Sequence, residues 1–142
     1  MPDSGLDIKP ISHSTYHLNV GTKLRQEWDI DSALVHLYKA RAMFLEEGNK
    51  AQATLALKQI GTALCMNGDL DEGRTLLEEA AEDFLSQNEV KNYAKTIGNI
   101  GSSYADEEKY EIAIRYHKLA FNSLIEHRMT DQLGTIPSNL VA

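Results

Sequence analysis

Apolar residues recur along this chain at helical spacing and in blocks that repeat. Val20-Gly21-Thr22-Lys23-Leu24, Ile60-Gly61-Thr62-Ala63-Leu64 and Ile100-Gly101-Ser102-Ser103-Tyr104 follow one another at intervals of 40 residues. A fixed internal period of this size is the mark of a stacked helical array. The same offset aligns Asp29-Ile30-Asp31, Asp69-Leu70-Asp71 and Lys109-Tyr110-Glu111, and two columns of small residues, Ala33/Gly73/Ala113 and Ala40/Ala80/Ala120. Between them run Leu37, Leu77 and His117 in one apolar column and Phe44, Phe84 and Leu124 in another. Each unit therefore reads as helix, tight turn, helix. First helices are predicted near 15–26, 51–66 and 91–106, and second helices near 31–47, 70–87 and 110–127.

The turn is explicit in Asn67-Gly68-Asp69, where Gly takes a left-handed conformation and Asp caps the next helix. Trp28 and Glu108 stand in the Gly68 column, so those two turns are less plainly written. Gly21, Gly61 and Gly101 fall inside helices, where each costs about 1 kcal/mol against Ala. Recurrence at one point of every unit implies a close approach, the first helix pressing its backbone onto the small residues of the second.

These columns resemble the tetratricopeptide repeat, which places Gly after an apolar residue, a large residue three later, and two Ala columns seven apart. The stretch IGNIGSSYADEEKYEIAIRYHKLAF carries the resemblance most fully, and it extends over about residues 15 to 130. It implies an all-α fold, an α-α solenoid wound as a right-handed superhelix, with three units over about 14–53, 54–93 and 94–133 and the start of a fourth at 134–142. Residues 1–14 read as a flexible leader before a domain spanning 15–142. The ordinary unit has about 34 residues. The excess here is assigned to a longer second helix and its following loop (EEGNKAQ, SQNEVKN, EHRMTDQ). Lengthened units are similar to those of Pins-type polarity adaptors, kinesin light chains and bacterial peptide-sensing regulators, which hold peptides or protein segments in a concave groove. HEAT and armadillo units are of similar length, but the Gly and Ala columns argue against them.

A residue two before each mid-helix Gly is turned about 200° from the face pressed on the partner helix, since each helical residue adds about 100°. Asn19, Gln59 and Asn99 hold that place, with Asn139 at the next multiple of 40, and Thr22, Thr62 and Ser102 stand three residues further on. A carboxamide both donates and accepts hydrogen bonds, so such a ladder suits the N–H and C=O groups of an extended ligand backbone. Arg25, Lys58 and Lys95 lie beside the stripe and favour an acidic or acidic-apolar segment, with Leu55 and Met66 as an apolar spot. The family's clamp for a terminal carboxylate carries Asn where this chain has Thr22, which argues against that ligand. The expected function is a protein-binding scaffold, with self-association through an uncapped C-terminal repeat as the alternative. The leader, with Asp3, Leu6, Asp7 and Ile8, is a third expectation, an acidic-apolar pseudo-ligand for the groove.

Charge narrows the partners. The chain of 142 residues carries a formal net charge of −7, and Asp69 to Asp83 hold seven acids against Arg74. That run reads as a solvated outer face, and it argues against nucleic acid and anionic lipid as partners. No apolar run approaches the roughly 18 residues of a membrane span. One cysteine, Cys65, allows no internal disulfide; a cytoplasmic, non-enzymatic protein without metal or cofactor is expected. His13 and His17 stand four apart but lack a third ligand, and they read as a helix start instead of a metal site. His117, in an apolar column, is expected to be an inner histidine.

Overall fold

A computed structural model describes residues 10–133 as six helices: α1 (His13–Gln26), α2 (Ile30–Glu46), α3 (Lys50–Met66), α4 (Leu70–Ser86), α5 (Val90–Asp106) and α6 (Tyr110–Leu133). They match the helices predicted from the repeat, with α1 starting two residues earlier and α6 running six residues further. The leader's residues 1–9 and the partial fourth unit at 134–142, Asn139 included, lie outside the described residues.

The repeat has a finer grain than the sequence period. Helices α2 to α5 are each 17 residues long, and every junction from α1 to α6 is three residues, so the structural step is 20. Each turn closes the same way: Gly68 N–H donates to the Cys65 carbonyl at 3.1 Å and Asp69 N–H to the Leu64 carbonyl at 2.9 Å. This is the Schellman pattern, which caps the orphan carbonyls of the ending helix and needs a left-handed central residue. The central residues are Trp28 (φ 64°), Gly48 (71°), Gly68 (90°), Asn88 (59°) and Glu108 (61°). The residue whose carbonyl accepts the bond from five residues on is apolar at all five turns, Leu24, Phe44, Leu64, Phe84 and Tyr104. The additional length over a 34-residue unit therefore does not lie in the loop after the second helix, which is as short as every other turn; this corrects that part of the assignment.

Mid-helix glycine does what its column implies. A Cβ on Gly61 would meet Leu77 Cγ at 2.8 Å and the Gly73 carbonyl oxygen at 2.9 Å; one on Gly73 would meet Cys65 Sγ at 2.6 Å. The α3 and α4 backbones thus approach too closely for any larger residue. Leu37, Leu77, Ala40 and Ala80 are fully buried, and Phe44 and Phe84 nearly so.

Each helix packs on its chain neighbours, and α1 also lies against α3, as α3 does against α5, while the backbones of α2, α4 and α6 stand further apart and α2 reaches α4 through the Arg41–Glu79 ion pair at 3.9 Å. First helices are therefore gathered on one side and second helices splayed on the other, a solenoid-like array of three hairpins with α1, α3 and α5 lining its inner face. Hydrogen bonds tie each hairpin to the following turn: Ser14 Oγ donates to Glu47 Oε1 at 2.9 Å, and Gln87 Nε2 to Thr54 Oγ1 at 3.1 Å. Buried Arg74 binds Ser103 and Glu107 and lies 3.7 Å over the Tyr104 ring, joining α4 to the end of α5. That guanidinium, by its hydrogen bond, holds the Glu107 carboxyl below its usual range.

The acidic run falls on the outer side, with Asp71, Glu72, Glu78, Glu79 and Glu82 exposed on α4. His117 faces solvent, against the expectation of an inner histidine. It occupies the column of Leu37 and Leu77, but among the described residues no following hairpin covers α6 as α3 covers α2 and α5 covers α4. No described helix is long and apolar enough to cross a membrane.

Candidate functional site

The inner face is built from one side of α1, α3 and α5, and its polar residues come from the columns beside the buried glycines. Asn19 and Ser102 are exposed; Gln59, Asn99, Thr22 and Thr62 are half-buried. Contact between successive first helices brings these side chains within reach of one another. Arg25 Nε of α1 donates to Gln59 Oε1 of α3 at 2.7 Å, and Asn99 Nδ2 of α5 donates to Thr62 Oγ1 of α3 at 3.1 Å. The Thr62 hydroxyl is itself turned back, donating to the Lys58 carbonyl at 3.0 Å. The stripe is therefore a row of cross-helix ties in addition to a row of amides. Part of its bonding capacity is already used. The Gln59 NH2, the Asn99 carbonyl and the whole Asn19 amide have no hydrogen-bond partner among the described residues.

Two depressions flank these ties. One of about 420 Å³ lies between α1 and α3, lined by Leu18, Asn19, Thr22, Lys23, Gln26, Leu55 and Gln59. A smaller one of about 110 Å³ lies between α3 and α5, lined by Thr62, Cys65, Met66, Asn99, Ser102 and Asp106 with Leu77 and Ser103 beneath. Leu55 and Met66 thus sit in different depressions and do not form a single apolar spot. Cys65 lines the smaller one, and burial pushes its thiol pKa up, which suits packing more than nucleophilic attack.

Cations gather on this face. Lys58 is half-buried, and burial, then the charges of Lys95 and Arg25, lower its ammonium pKa. The three cations are therefore electrostatic neighbours across three helices. Among the described residues the ion pairs join Arg41 to Glu79 and Glu107 to Arg74 and Lys109; none uses Arg25, Lys58 or Lys95. Their positions run from the last turn of α1 through mid-α3 to the second turn of α5, a diagonal across the inner face. Asp106, at the far end of α5, lies off that diagonal.

Two further features lie outside the amide stripe. His17 Nδ1 lies 2.9 Å from His36 Nδ1, in the place where the middle hairpin has Leu57 and Leu76. The ring centroids are 5.2 Å apart, so the two nitrogens point at each other along one N–H···N bond and do not converge on a third point as metal ligands would. Among the described residues no three His, Cys, Asp or Glu side chains are grouped to hold a metal ion. Trp28 is the other feature: it is 68% exposed in a left-handed backbone conformation, just past the end of α1. Its departure from the Gly68 column was the signal for it.

The fold defines an all-α protein of packed helical hairpins in a solenoid-like array. The family model of SNAP, soluble NSF attachment protein, matches residues 12–133, and the chain belongs to that family. This family is all-helical and related in structure to helical-repeat proteins, and membership fits a protein–protein adaptor. No solved structure matches the chain.

Proposed function

We propose that this protein is a non-catalytic adaptor that holds an extended, acidic-apolar segment of a partner protein across the inner face of α1, α3 and α5. Its 40-residue hairpins are lengthened units of the tetratricopeptide type. The observation that carries the reading is the unpaired cationic diagonal of Arg25, Lys58 and Lys95 beside open amide groups of Asn19, Gln59 and Asn99, on a chain whose net charge is −7. Cations kept together at a cost to Lys58, on an otherwise acidic molecule, are complementary to an acidic ligand. The amides supply backbone hydrogen bonds of about 0.5–1.5 kcal/mol each. Ordering the ligand offsets much of this, so modest affinity is expected. Membership of a family named for attachment to NSF supports a protein partner.

The test is a peptide or proteome-wide binding screen with the wild type and with Asn19, Gln59 and Asn99 changed together to Ala. Partners of the wild type are expected to bind the triple variant at least tenfold more weakly. Equal binding by both proteins overturns the ladder.

A second reading is self-association through the outer face of α6. Phe121 is 62% exposed and Ile114 51%, in columns where the middle hairpin buries Ala81 and Arg74. Sedimentation at two concentrations tests it: mass that grows with concentration for the wild type and not for Phe121→Ser supports this reading, and a constant monomer mass removes it.

A further inference from the structure

The turn between α1 and α2 holds a residue the fold does not want there. The same Schellman turn is centred on glycine at Gly48 and Gly68, whereas Trp28 takes it at φ 64°. An L-residue with a bulky side chain is strained in this region, where glycine is not. Burial does not compensate, since Trp28 is 68% exposed. Nor does stacking: the ring and cation–π contacts among the described residues join Tyr16, His17, His36, Tyr104, Tyr116 and Arg74, and none uses the indole. A strained, exposed aromatic without a ring or cation–π partner among the described residues points to a contact outside the chain. Tryptophan is also the side chain most enriched where binding energy concentrates.

Its position says what that contact is. Trp28 lies three residues beyond Arg25 and two beyond Gln26, which lines the larger depression, so it prolongs the cationic diagonal at its α1 end. We propose that Trp28 is the apolar anchor of the ligand groove, packing against an aliphatic or aromatic side chain at one end of a segment whose acidic residues then meet Arg25, Lys58 and Lys95. This rests on the inner-face reading above. In the 40-residue register Arg25 and Lys58 are offset by about 10 Å along the helices and Lys58 and Lys95 by about 5 Å, with roughly 8–10 Å between the helices. An extended chain covers the first step in about four residues and the second in about three. The ligand class is therefore an extended peptide with a hydrophobic end and acidic side chains about three to four residues apart.

Trp28 is the chain's one tryptophan, so its fluorescence reports on this position alone. A random dodecapeptide library displayed on phage is panned against the wild type, Trp28→Gly and Lys58→Glu. The wild type is expected to enrich peptides with a hydrophobic end and spaced acids. Trp28→Gly keeps the acids but loses the hydrophobic end, and Lys58→Glu loses the acids. A synthetic peptide of the enriched sequence shifts the wild-type emission to the blue and binds Trp28→Gly at least tenfold more weakly. Because glycine relieves the turn, that variant also melts higher, by on the order of 5 °C. Higher stability with weaker binding is an outcome a merely structural tryptophan cannot produce. An unchanged hydrophobic preference in Trp28→Gly overturns the anchor and leaves the groove intact. A wild type that enriches no peptide overturns the groove reading and the anchor with it. A blue shift on phosphatidylcholine vesicles without one on the enriched peptide reassigns Trp28 to a lipid surface and overturns the proposal.

Discussion

The middle hairpin, α3–α4, and the last described one, α5–α6, are written in the same columns and end in opposite environments. Phe84 is 1% exposed and its counterpart Leu124 is 40%; Ala81 is 3% exposed and Phe121 is 62%. Sequence similarity set the shape of both hairpins, but burial depends on what packs on the outer side of the second helix. α5 covers α4, and no described element covers α6. In a stacked array, equivalent positions thus carry different energies according to whether a neighbour follows.

The largest expected test of this contrast is truncation of the shared apolar column. Phe84→Ala removes a buried ring and should cost about 3–5 kcal/mol. Leu124→Ala, at a solvent-facing site, should cost less than about 1 kcal/mol. Chemical denaturation of both variants measures the difference, and equal losses would mean that α6 is covered in solution.

Next come the glycines. Gly61→Ala forces a methyl into the Leu77 side chain and the Gly73 carbonyl, and overpacking of this kind costs about 1–3 kcal/mol. Gly98 lies in α5 with open space where its Cβ would be, so Gly98→Ala should stabilise by about 0.5–1 kcal/mol. Opposite signs in thermal melts would separate glycine kept for packing from glycine that only weakens its helix.

A smaller effect is expected at the α5–α6 turn. Glu108 is exposed in the left-handed region that Gly68 occupies in the middle hairpin. Glu108→Gly should stabilise by about 1 kcal/mol, whereas Gly68→Ala should destabilise by a similar amount.

The smallest effect distinguishes the first hairpin from the middle one by pH. His17, paired with His36, has its pKa held below the ordinary 6.5 by burial, then by Lys39, His36 and His13. The unfolded chain therefore binds the proton more readily than the folded one. The stability involved is fully present above pH 6.5 and is lost as pH falls through the lowered folded value. Hydrogen exchange should show α1 and α2 opening on acidification before α3 and α4, and His17→Leu, which restores the residue type of Leu57, should remove the difference.

The 40-residue period was legible because glycine and alanine are demanded at one point of each pair, where two backbones meet and no larger side chain fits. The 20-residue step was also present, in Leu24, Phe44, Leu64, Phe84 and Tyr104, but alternate helices differ on their other faces and hide it. The amides of the inner face were legible as a column; their ties were not. Arg25 meets Gln59 only because α1 touches α3, across 34 residues of chain, and no local pattern encodes that contact.

By itself, then, the sequence determined the helices, the hairpins and the side of each first helix left polar, since these follow from short-range periodicity and from volume at close contacts. Only the tertiary structure decided which side chains meet across helices, that Trp28 and Glu108 are held in a conformation suited to glycine, and that His117 and Phe121 face water. Those outcomes depend on the packing of distant segments, which constrains a residue by its neighbours in space and not by its neighbours in the chain.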